Sequence, residues 1–295
     1  MTADRLIDAV HLPGVLTLTS PKCAATPLVF DSPHSGAQYP HNFDSILSEL
    51  DLRRLEDAYV DELFEHVTEH GAALLSAQFP RSYIDPNRAE DDLDTTMIDE
   101  QWPHAANPSQ KSRNGIGLVF RRAASGPLYN RKLTVAEVRA RLDSYYWPYH
   151  RTLERVLKQT WQHHGVVMHV NCHSMKSLNN CSPRTADGSA RADFILGDRD
   201  GTSCAAQITT QVADHLRACG YTVSVNSPYK GVELVRRYSD PSKGRHSLQI
   251  EINRRLYMNE RLVAKHDGFA ACQDVLRSLT VAMSDFVRGS ALSND

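Results

Sequence analysis

The sequence predicts an α/β fold, a single domain in which helices cover both faces of a mixed, mostly parallel sheet. Short apolar runs typical of buried strands alternate along the chain with segments of helical periodicity. The 295 residues are enough for one large domain, and no repeat or clear linker divides them. We therefore treat residues 1–295 as one domain, whose functional site is expected beyond the carboxyl ends of the strands.

The strands are predicted from apolar runs bounded by turn-forming residues. Residues 1–26 precede them and are expected to form a leader that is irregular or short-stranded. Residues 90–115 are polar and acidic, with two prolines and a glycine, and are predicted to form a long loop over the site. In chain order, the predicted strands are Pro27–Asp31, Ala72–Ser76, Ser82–Asp85, Ile116–Phe120, Val166–Asn171, Asp193–Leu196, Thr222–Val225 and Ser247–Ile252.

The helices are predicted from apolar residues at helical spacing. Gly71 is a stop signal for the first helix. Thr134 and Glu137 form a capping box at the start of the second, which is expected to bend at Pro148 and to end at Gly165. In chain order, the predicted helices are Leu52–His70, a long helix from Thr134 through Leu157, Ser203–Ala218 and Leu262–Phe286.

Composition excludes several classes of function. With 33 basic and 35 acidic residues, the formal net charge is −2, which gives no general attraction to nucleic acid or to an anionic membrane. No apolar run approaches the roughly 20 residues that span a bilayer, and the N-terminus lacks a secretory signal. The six cysteines are scattered without a CxxC pair, so we expect a reducing, cytoplasmic location and no disulfide framework.

Two histidines are predicted to lie at strand ends, where ligands gather. His34 stands between Ser-Pro and Ser-Gly after one buried strand, and His173 follows another. The alternative for His34 is a loop histidine bonded to a local carbonyl. His169 would lie about 13 Å from His173 on the same strand face and is expected in the core or behind the site. Because neutral imidazole is the commonest metal ligand, the pair suggests a metal site.

Carboxylates would complete such a site. Glu251 stands near the end of the last predicted strand, and with the two histidines it suggests a metal hydrolase. A zinc site for hydrolysis would take a carboxylate as third protein ligand. The predicted helix Leu52–His70 offers Asp57 and Asp61. At about 100° per residue, Asp57 lies at the margin of the apolar stripe and is favoured over Asp61, although both also fit a solvated acidic face.

Several arginines could bind a carboxylate, since the planar guanidinium bonds both of its oxygens. Ordinary surface salt bridges are the alternative for each of them. In the turn-like segment Asp-Pro-Asn-Arg, Asn87 and Arg88 could present adjacent donors. The arginines concerned are Arg81, Arg88, Arg121, Arg122, Arg254 and Arg255.

Other chemistries find little support. Cys172 adjoins His173, but neighbours on a strand face opposite ways, so a cysteine nucleophile is disfavoured. The chain has no Gly-x-Ser-x-Gly elbow, no Walker loop and no Rossmann glycine fingerprint.

Over roughly residues 27–285, the chain resembles the N-formylglutamate amidohydrolases, also called N-formylglutamate deformylases. The number and order of the matching segments carry the resemblance. They are Ser32-Pro-His-Ser-Gly36, Pro80-Arg-Ser-Tyr-Ile-Asp-Pro-Asn-Arg88, Gly117-Leu-Val-Phe-Arg121, Cys172-His-Ser-Met175 and Gln249-Ile-Glu-Ile-Asn-Arg-Arg-Leu-Tyr-Met258.

That family is similar to the zinc carboxypeptidases, with a phosphorylase/hydrolase-type α/β fold. The resemblance implies that His34 and His173 bind one zinc ion together with an acidic residue. It also implies that Glu251 is the general base and acid, and that Arg88 with Asn87 holds a substrate carboxylate. Carboxypeptidases place an acidic ligand three residues after the first histidine; Ala37 stands there in this chain, so the acidic ligand must come from elsewhere, with Asp57 as our choice.

The expected function is zinc-dependent hydrolysis of the N-acyl amide of an acidic amino acid. The resemblance makes the small-molecule substrate N-formyl-L-glutamate, which yields formate and L-glutamate in histidine degradation. Arg81 is our first choice to stabilise the tetrahedral oxyanion together with zinc. The alternatives are a related zinc deacylase or carboxypeptidase with another acyl or peptide substrate, and a non-catalytic carboxylate-binding protein.

Overall fold

A computed structural model describes residues 6–177 and 191–292, with side chains to residue 287. Residues 1–5 of the expected leader and Cys181 lie outside these ranges. The other five cysteines are free. The strands are β1 (Val10–Leu12), β2 (Leu16–Thr19), β3 (Leu28–Ser32), β4 (Ala73–Ala77), β5 (Arg122–Ala123), β6 (Gly126–Pro127), β7 (Val167–Met175), β8 (Phe194–Gly197), β9 (Val223–Val225), β10 (Arg245–Asn253), β11 (Met258–Asn259) and β12 (Ala264–Lys265).

Eight of these strands form one sheet in the order β1-β2-β4-β3-β7-β10-β8-β9. The four central strands β4, β3, β7 and β10 run parallel to one another. The hairpin β1–β2 adds an antiparallel edge beside β4, and β8 runs antiparallel to β10 on the other side. The predicted mixed, mostly parallel α/β sheet is thus confirmed, and the leader contributes its first two strands.

Helices cover both faces of the sheet, as predicted. The helices are α1 (Glu49–Arg53), α2 (Val60–Leu63), α3 (Gln110–Arg113), α4 (Val135–Arg141), α5 (Trp147–His164), α6 (Ala206–Ala218), α7 (Glu233–Tyr238) and α8 (Gly268–Leu292). Successive side chains of a strand point to opposite faces, so Leu28 and Phe30 pack in one core with α2, α6 and α8. Val29 of the same strand packs in the other core with α4 and α5.

The predicted helix Leu52–His70 is wrong as a single element. It divides into α1, α2 and a 3-10 helix over Glu65–His70, and Tyr59 takes a left-handed conformation with φ of 67°. The helix breaks because backbone groups between α1 and α2 form hydrogen bonds with other segments of the chain. The Asp57 N–H donates to the His34 carbonyl at 2.9 Å, and Arg254 donates to the Glu56 carbonyl. Groups bonded to other segments cannot complete helical hydrogen bonds.

Two predicted short strands are also wrong. Ser82–Asp85 is a turn in which the Tyr83 N–H donates to the Pro80 carbonyl at 2.9 Å. Ile116–Phe120 forms a single bridge between its own end residues, where the sequence predicted a strand. Apolar runs of this length can bury side chains in a loop as well as in a strand.

The long second helix begins at the predicted capping box of Thr134 and Glu137 and ends at Gly165. Its interruption lies before Pro148: one π-helical turn, Leu142–Tyr146, separates α4 from α5. Pro148 therefore falls in the first turn of α5, where a missing N–H costs no helical bond.

Three further features concern the region around the site. Strands β7 and β10 are longer than predicted. His173 therefore lies within a strand and not beyond it, and Glu251 lies within a strand as predicted. The loop 90–115 is irregular apart from α3 and a 3-10 turn at Thr95–Met97, as predicted. Helix α7 was not predicted.

No helix in the described ranges is both long and apolar enough to cross a bilayer.

Candidate metal centre

His34, Asp57 and His173 converge from three separate segments on one buried point. A potential ligand atom from each of them lies within 4.8 Å of those of the other two. The Asp57 Oδ2 atom is 3.3 Å from Nδ1 of His34 and 3.0 Å from Nδ1 of His173. The centroids of the two imidazole rings are 4.6 Å apart. These atoms form a compact set of two nitrogen donors and one carboxylate oxygen.

Local structure explains why each of these side chains reaches the centre. His34 leaves β3 in a turn that needs Gly36, because a Cβ there would stand 2.3 Å from the Phe79 carbonyl oxygen. Asp57 lies in the break between α1 and α2, which the backbone bond to His34 helps to create. His173 projects from β7, the strand next to β3.

The second nitrogen of each imidazole is held by the protein. Nε2 of His34 donates to Asp85 Oδ1 at 2.6 Å, and Nε2 of His173 donates to Asn171 Oδ1 at 2.7 Å. With the ring hydrogen on Nε2, both rings would direct their Nδ1 lone pairs at the centre, which is the tautomer that a metal ligand needs. Two oriented imidazoles and a carboxylate, all buried, are a donor set that fits a divalent metal ion with an open position.

The carboxylates around the centre are ionised. Burial would raise the pKa of Asp57, but hydrogen bonds with His173 and His34 and the charge of Arg81 hold it well below its ordinary value. Burial opposes ionisation of Asp85 as well, yet the charges of His34 and Arg81 keep its pKa well below the usual range. Arg254 adds a hydrogen bond of 3.0 Å to Asp57 Oδ1. Asp57 is therefore a charged ligand in the absence of any metal.

His169 belongs to a buried polar network behind the centre, as expected. Its Nε2 donates to Asp31 Oδ1 at 2.8 Å, and its Nδ1 lies 3.1 Å from Ser247 Oγ. Asn171 Nδ2 also donates to Asp31, at 2.8 Å. Asn171 thus links the ionised Asp31 to the ring of His173, which fixes that ring from behind.

Asp61, the other carboxylate considered, lies away from the centre. It lines a separate surface cavity with Ser35 and Glu62. Burial, partly offset by a hydrogen bond from the Glu62 backbone, raises the pKa of Asp61 to about 6. The helical-wheel argument for choosing between Asp57 and Asp61 does not hold, since no single helix carries both.

A cavity of about 630 Å³ opens over the centre, and we call it the site cavity. This volume suits a small molecule. Glu251 lines it on β10, in register with His173 on β7. Gln249 donates to Glu251 Oε1 at 2.9 Å. Burial raises the pKa of Glu251, which the charge of His173 partly offsets and that of Asp57 reinforces.

Arg81, Asn87 and Arg88 also line the site cavity. Arg81 Nη2 donates to Asp85 Oδ2 at 2.8 Å, and Arg81 Nη1 lies 3.6 Å from Asp57 Oδ1. Arg88 is buried, and its guanidinium makes no hydrogen bond with any residue that the structure describes; its nearest carboxylate is Asp85 at 3.7 Å. Asn87 Nδ2 lies 3.0 Å from His173 Nε2, and its Oδ1 accepts from the Leu234 N–H at 2.9 Å.

The other four arginines considered separate into two groups. Arg121 pairs with Asp94 and Arg255 with Asp193, and neither lines the site cavity. Arg122 and Arg254 both line it. Arg254 donates hydrogen bonds of 3.0 Å to Ser174 and to Asp57, so its guanidinium already has partners within the protein. Arg122 remains exposed.

Sequence reasoning missed three residues of this region. Asp85 lies in the segment Pro80–Arg88, and no feature of the sequence indicated that it would contact His34. Asn171 precedes His173 by two residues, so the period-two spacing of a strand could have identified it. Lys111 lines the site cavity from α3, and nothing in its local sequence indicated that position.

Residues 26–258 match the family model described as N-formylglutamate amidohydrolase. The N-formylglutamate deformylase of Pseudomonas putida is 28% identical over 264 residues, which are 87% of this chain and 92% of that protein. The crystal structure of an N-formylglutamate amidohydrolase from Ralstonia eutropha is similar with a TM-score of 0.88 and 44% identity, covering 94% of this chain and 99% of that one. A metallo-carboxypeptidase from Pseudomonas aeruginosa reaches a TM-score of 0.35 at 12% identity, a likeness too slight to build on.

Proposed function

Because the chain belongs to the N-formylglutamate amidohydrolase family, we propose that it is a zinc-dependent enzyme that hydrolyses N-formyl-L-glutamate to formate and L-glutamate. One observation carries the proposal beyond family membership. The buried donors of His34, Asp57 and His173 lie beneath a cavity that also holds a buried carboxylate, Glu251, and an arginine free to bind an anion, Arg88. A pure carboxylate-binding protein has no need of that donor set or of Glu251.

His34, Asp57 and His173 would hold the metal. Zinc, when bound there, would acidify water and polarise the formyl carbonyl. Glu251 would accept a proton from the attacking water and deliver it to the nitrogen of the departing glutamate. The burial that raises its pKa suits this task, because a base with a pKa nearer to neutrality also returns the proton readily.

The arginines would orient the substrate and stabilise charge. Arg81, whose guanidinium is fixed by Asp85, would donate to the oxyanion that forms at the formyl carbon. Arg88 would bind one substrate carboxylate, with Asn87 beside it, and this would align the amide with Glu251. Asn87 would support this binding from its position next to the ring of His173.

The direct test is L-glutamate release by the zinc-loaded protein from N-formyl-, N-acetyl- and peptidyl-L-glutamate, with metal content measured on the same sample. We expect formyl-glutamate to have the highest kcat/KM and a chelator to abolish turnover. Higher kcat/KM on the acetyl or peptidyl compound would replace the deformylase with a related deacylase or carboxypeptidase. Binding of these ligands without metal and without any turnover would leave only a carboxylate-binding protein.

A further inference from the structure

The site cavity contains more positive charge than the metal centre needs. Arg81 and Arg254 face Asp57, and two other cations at its wall pair with acids outside it, Arg54 with Asp51 and Lys230 with Asp200. These pairs account for four of the cations that line the cavity.

Among the five further cations at the wall, Arg88, Lys111 and Arg122 are not neutralised in this way. Arg88 lacks a hydrogen bond and has only the shared carboxylate of Asp85 near it. The side chains of Lys111 and Arg122 form no hydrogen bond or ion pair with any residue of the ranges 6–177 and 191–287. One bound carboxylate would occupy Arg88 and leave the other two cations unused.

We propose that Lys111, assisted by Arg122, binds the second carboxylate of a dianionic substrate whose first carboxylate is held by Arg88. This inference rests on the proposed function and deepens it. The site would recognise an N-acyl amino acid by the acid at the end of its side chain, and Lys111 would determine that specificity. Amino acids with neutral side chains would bind without this contact and would be poor substrates.

The free protein is electrostatically prepared for such a dianion. Lys111 is an exposed residue, yet partial burial of its ammonium group and the charges of Arg88 and Arg81 lower its pKa to about 8. Like charges held close together repel one another. A substrate with two carboxylates joined by a short carbon chain would relieve the repulsion between Lys111 and Arg88, whereas a monoanion would relieve only part of it.

Lys111 is also presented by an ordered segment. Helix α3 is capped by Ser109, whose Oγ accepts from the Ser112 N–H at 3.2 Å. The carboxylate of Asp92 accepts from the Ser109 N–H at 2.7 Å and from its hydroxyl at 3.0 Å. These bonds tie the last turn of the loop 90–115 to the segment that follows Arg88. A lysine on an anchored turn loses less entropy on binding than one on a free loop.

The test compares Lys111→Met with the matched control Lys158→Met, which removes the same charge from an exposed position on α5 away from the cavity. Substrates are N-formyl-L-glutamate and N-formyl-L-norvaline, whose side chain has similar length but no carboxylate. We expect K111M to lower kcat/KM for formyl-glutamate by roughly 10- to 100-fold, the effect of one charge-assisted bond. Its kcat/KM for formyl-norvaline and its zinc content should stay within about 2-fold of the wild-type values. K158M should leave kcat/KM unchanged for both substrates.

Calorimetric binding of glutarate and butyrate to the zinc-loaded protein separates this inference from the proposed function, because it needs no turnover. If K111M weakens glutarate selectively, the second carboxylate site stands even for a protein that hydrolyses no formyl amino acid. Equal losses on both ligands, or no loss on either, would overturn the site while leaving deformylase activity intact as a separate result. Arg122→Met should show the same selectivity with a smaller effect.

Discussion

The imidazole of His34 and the carboxylate of Asp85 are joined by a hydrogen bond of 2.6 Å between Nε2 and Oδ1. Asp85 is fully buried and also accepts from Arg81, so it links a proposed metal ligand to the arginine proposed for the oxyanion. Such a carboxylate fixes the ring of a metal-binding histidine and makes its free nitrogen a better donor.

Replacing Asp85 with asparagine should therefore weaken zinc binding by about 10- to 100-fold, because the amide is a weaker acceptor for the imidazole hydrogen. Competition with a chromophoric chelator would measure the affinity. Asp94→Asn is the matched control, since it also removes a partner of an arginine, Arg121, but outside the site cavity. Equal zinc affinities for wild type and D85N would contradict this role.

Asp57 and Asp61 should respond differently to the same substitution. We expect Asp57→Asn to lose bound zinc, because the anionic donor of the centre is removed, and Asp61→Asn to retain one ion per chain. Elemental analysis after dialysis would measure this, with circular dichroism to check folding. Retention of zinc by D57N together with its loss from D61N would reverse the assignment of the acidic ligand.

Asp61 should make stability depend on pH. Its folded pKa of about 6 lies above the ordinary value of 3.8, mainly through burial. The folded state therefore favours the protonated acid, and the stability that this gives below pH 4 is lost as the pH rises through 6. Asparagine does not titrate, so D61N should be more stable than the wild type by about 1–3 kcal/mol at pH 8 and by about half as much at pH 5.

Urea unfolding of the metal-free proteins at both pH values would measure that difference. The control is Asp214→Asn, which alters an exposed acid on α6. If the stability advantage of D61N over the wild type grew as the pH fell, the predicted direction of the pH dependence would be wrong.

Glu251→Gln should keep its zinc and lose most turnover, by about 10²- to 10⁴-fold, because glutamine cannot carry the proton. Steady-state kinetics with N-formyl-L-glutamate would measure the loss, and Glu154→Gln on the exposed side of α5 would serve as control. Near-native turnover in E251Q would show that Glu251 does not carry the proton in the reaction.

Arg88→Ala should mainly raise KM, by about 10- to 100-fold, if the arginine binds the substrate equally well in the ground and transition states. Arg121→Ala is the comparison, since that guanidinium does not line the site cavity. A large fall in kcat at unchanged KM would assign Arg88 to transition-state stabilisation instead.

Much of the fold could be predicted because its signals are local. Buried strands show as apolar runs, and the capping box of Thr134 and Glu137 needs only four neighbouring residues. The approach of His34 and His173 also followed from a general rule, because parallel strands bring their carboxyl ends to one edge of a sheet. The strands that were wrongly predicted, such as Ile116–Phe120, have the composition of strands but no partner across a ladder.

By itself, the sequence determined the α/β class, the strands that carry or precede His34, His173 and Glu251, and the family to which the chain belongs. Tertiary structure alone decided the rest of the site. Asp57 faces the histidines because distant groups break the helix around it, and Lys111 lines the same cavity as Arg88 because Asp92 ties its turn in place. Those contacts join residues far apart in the chain, and local periodicity carries no information about which distant group competes for a backbone hydrogen bond.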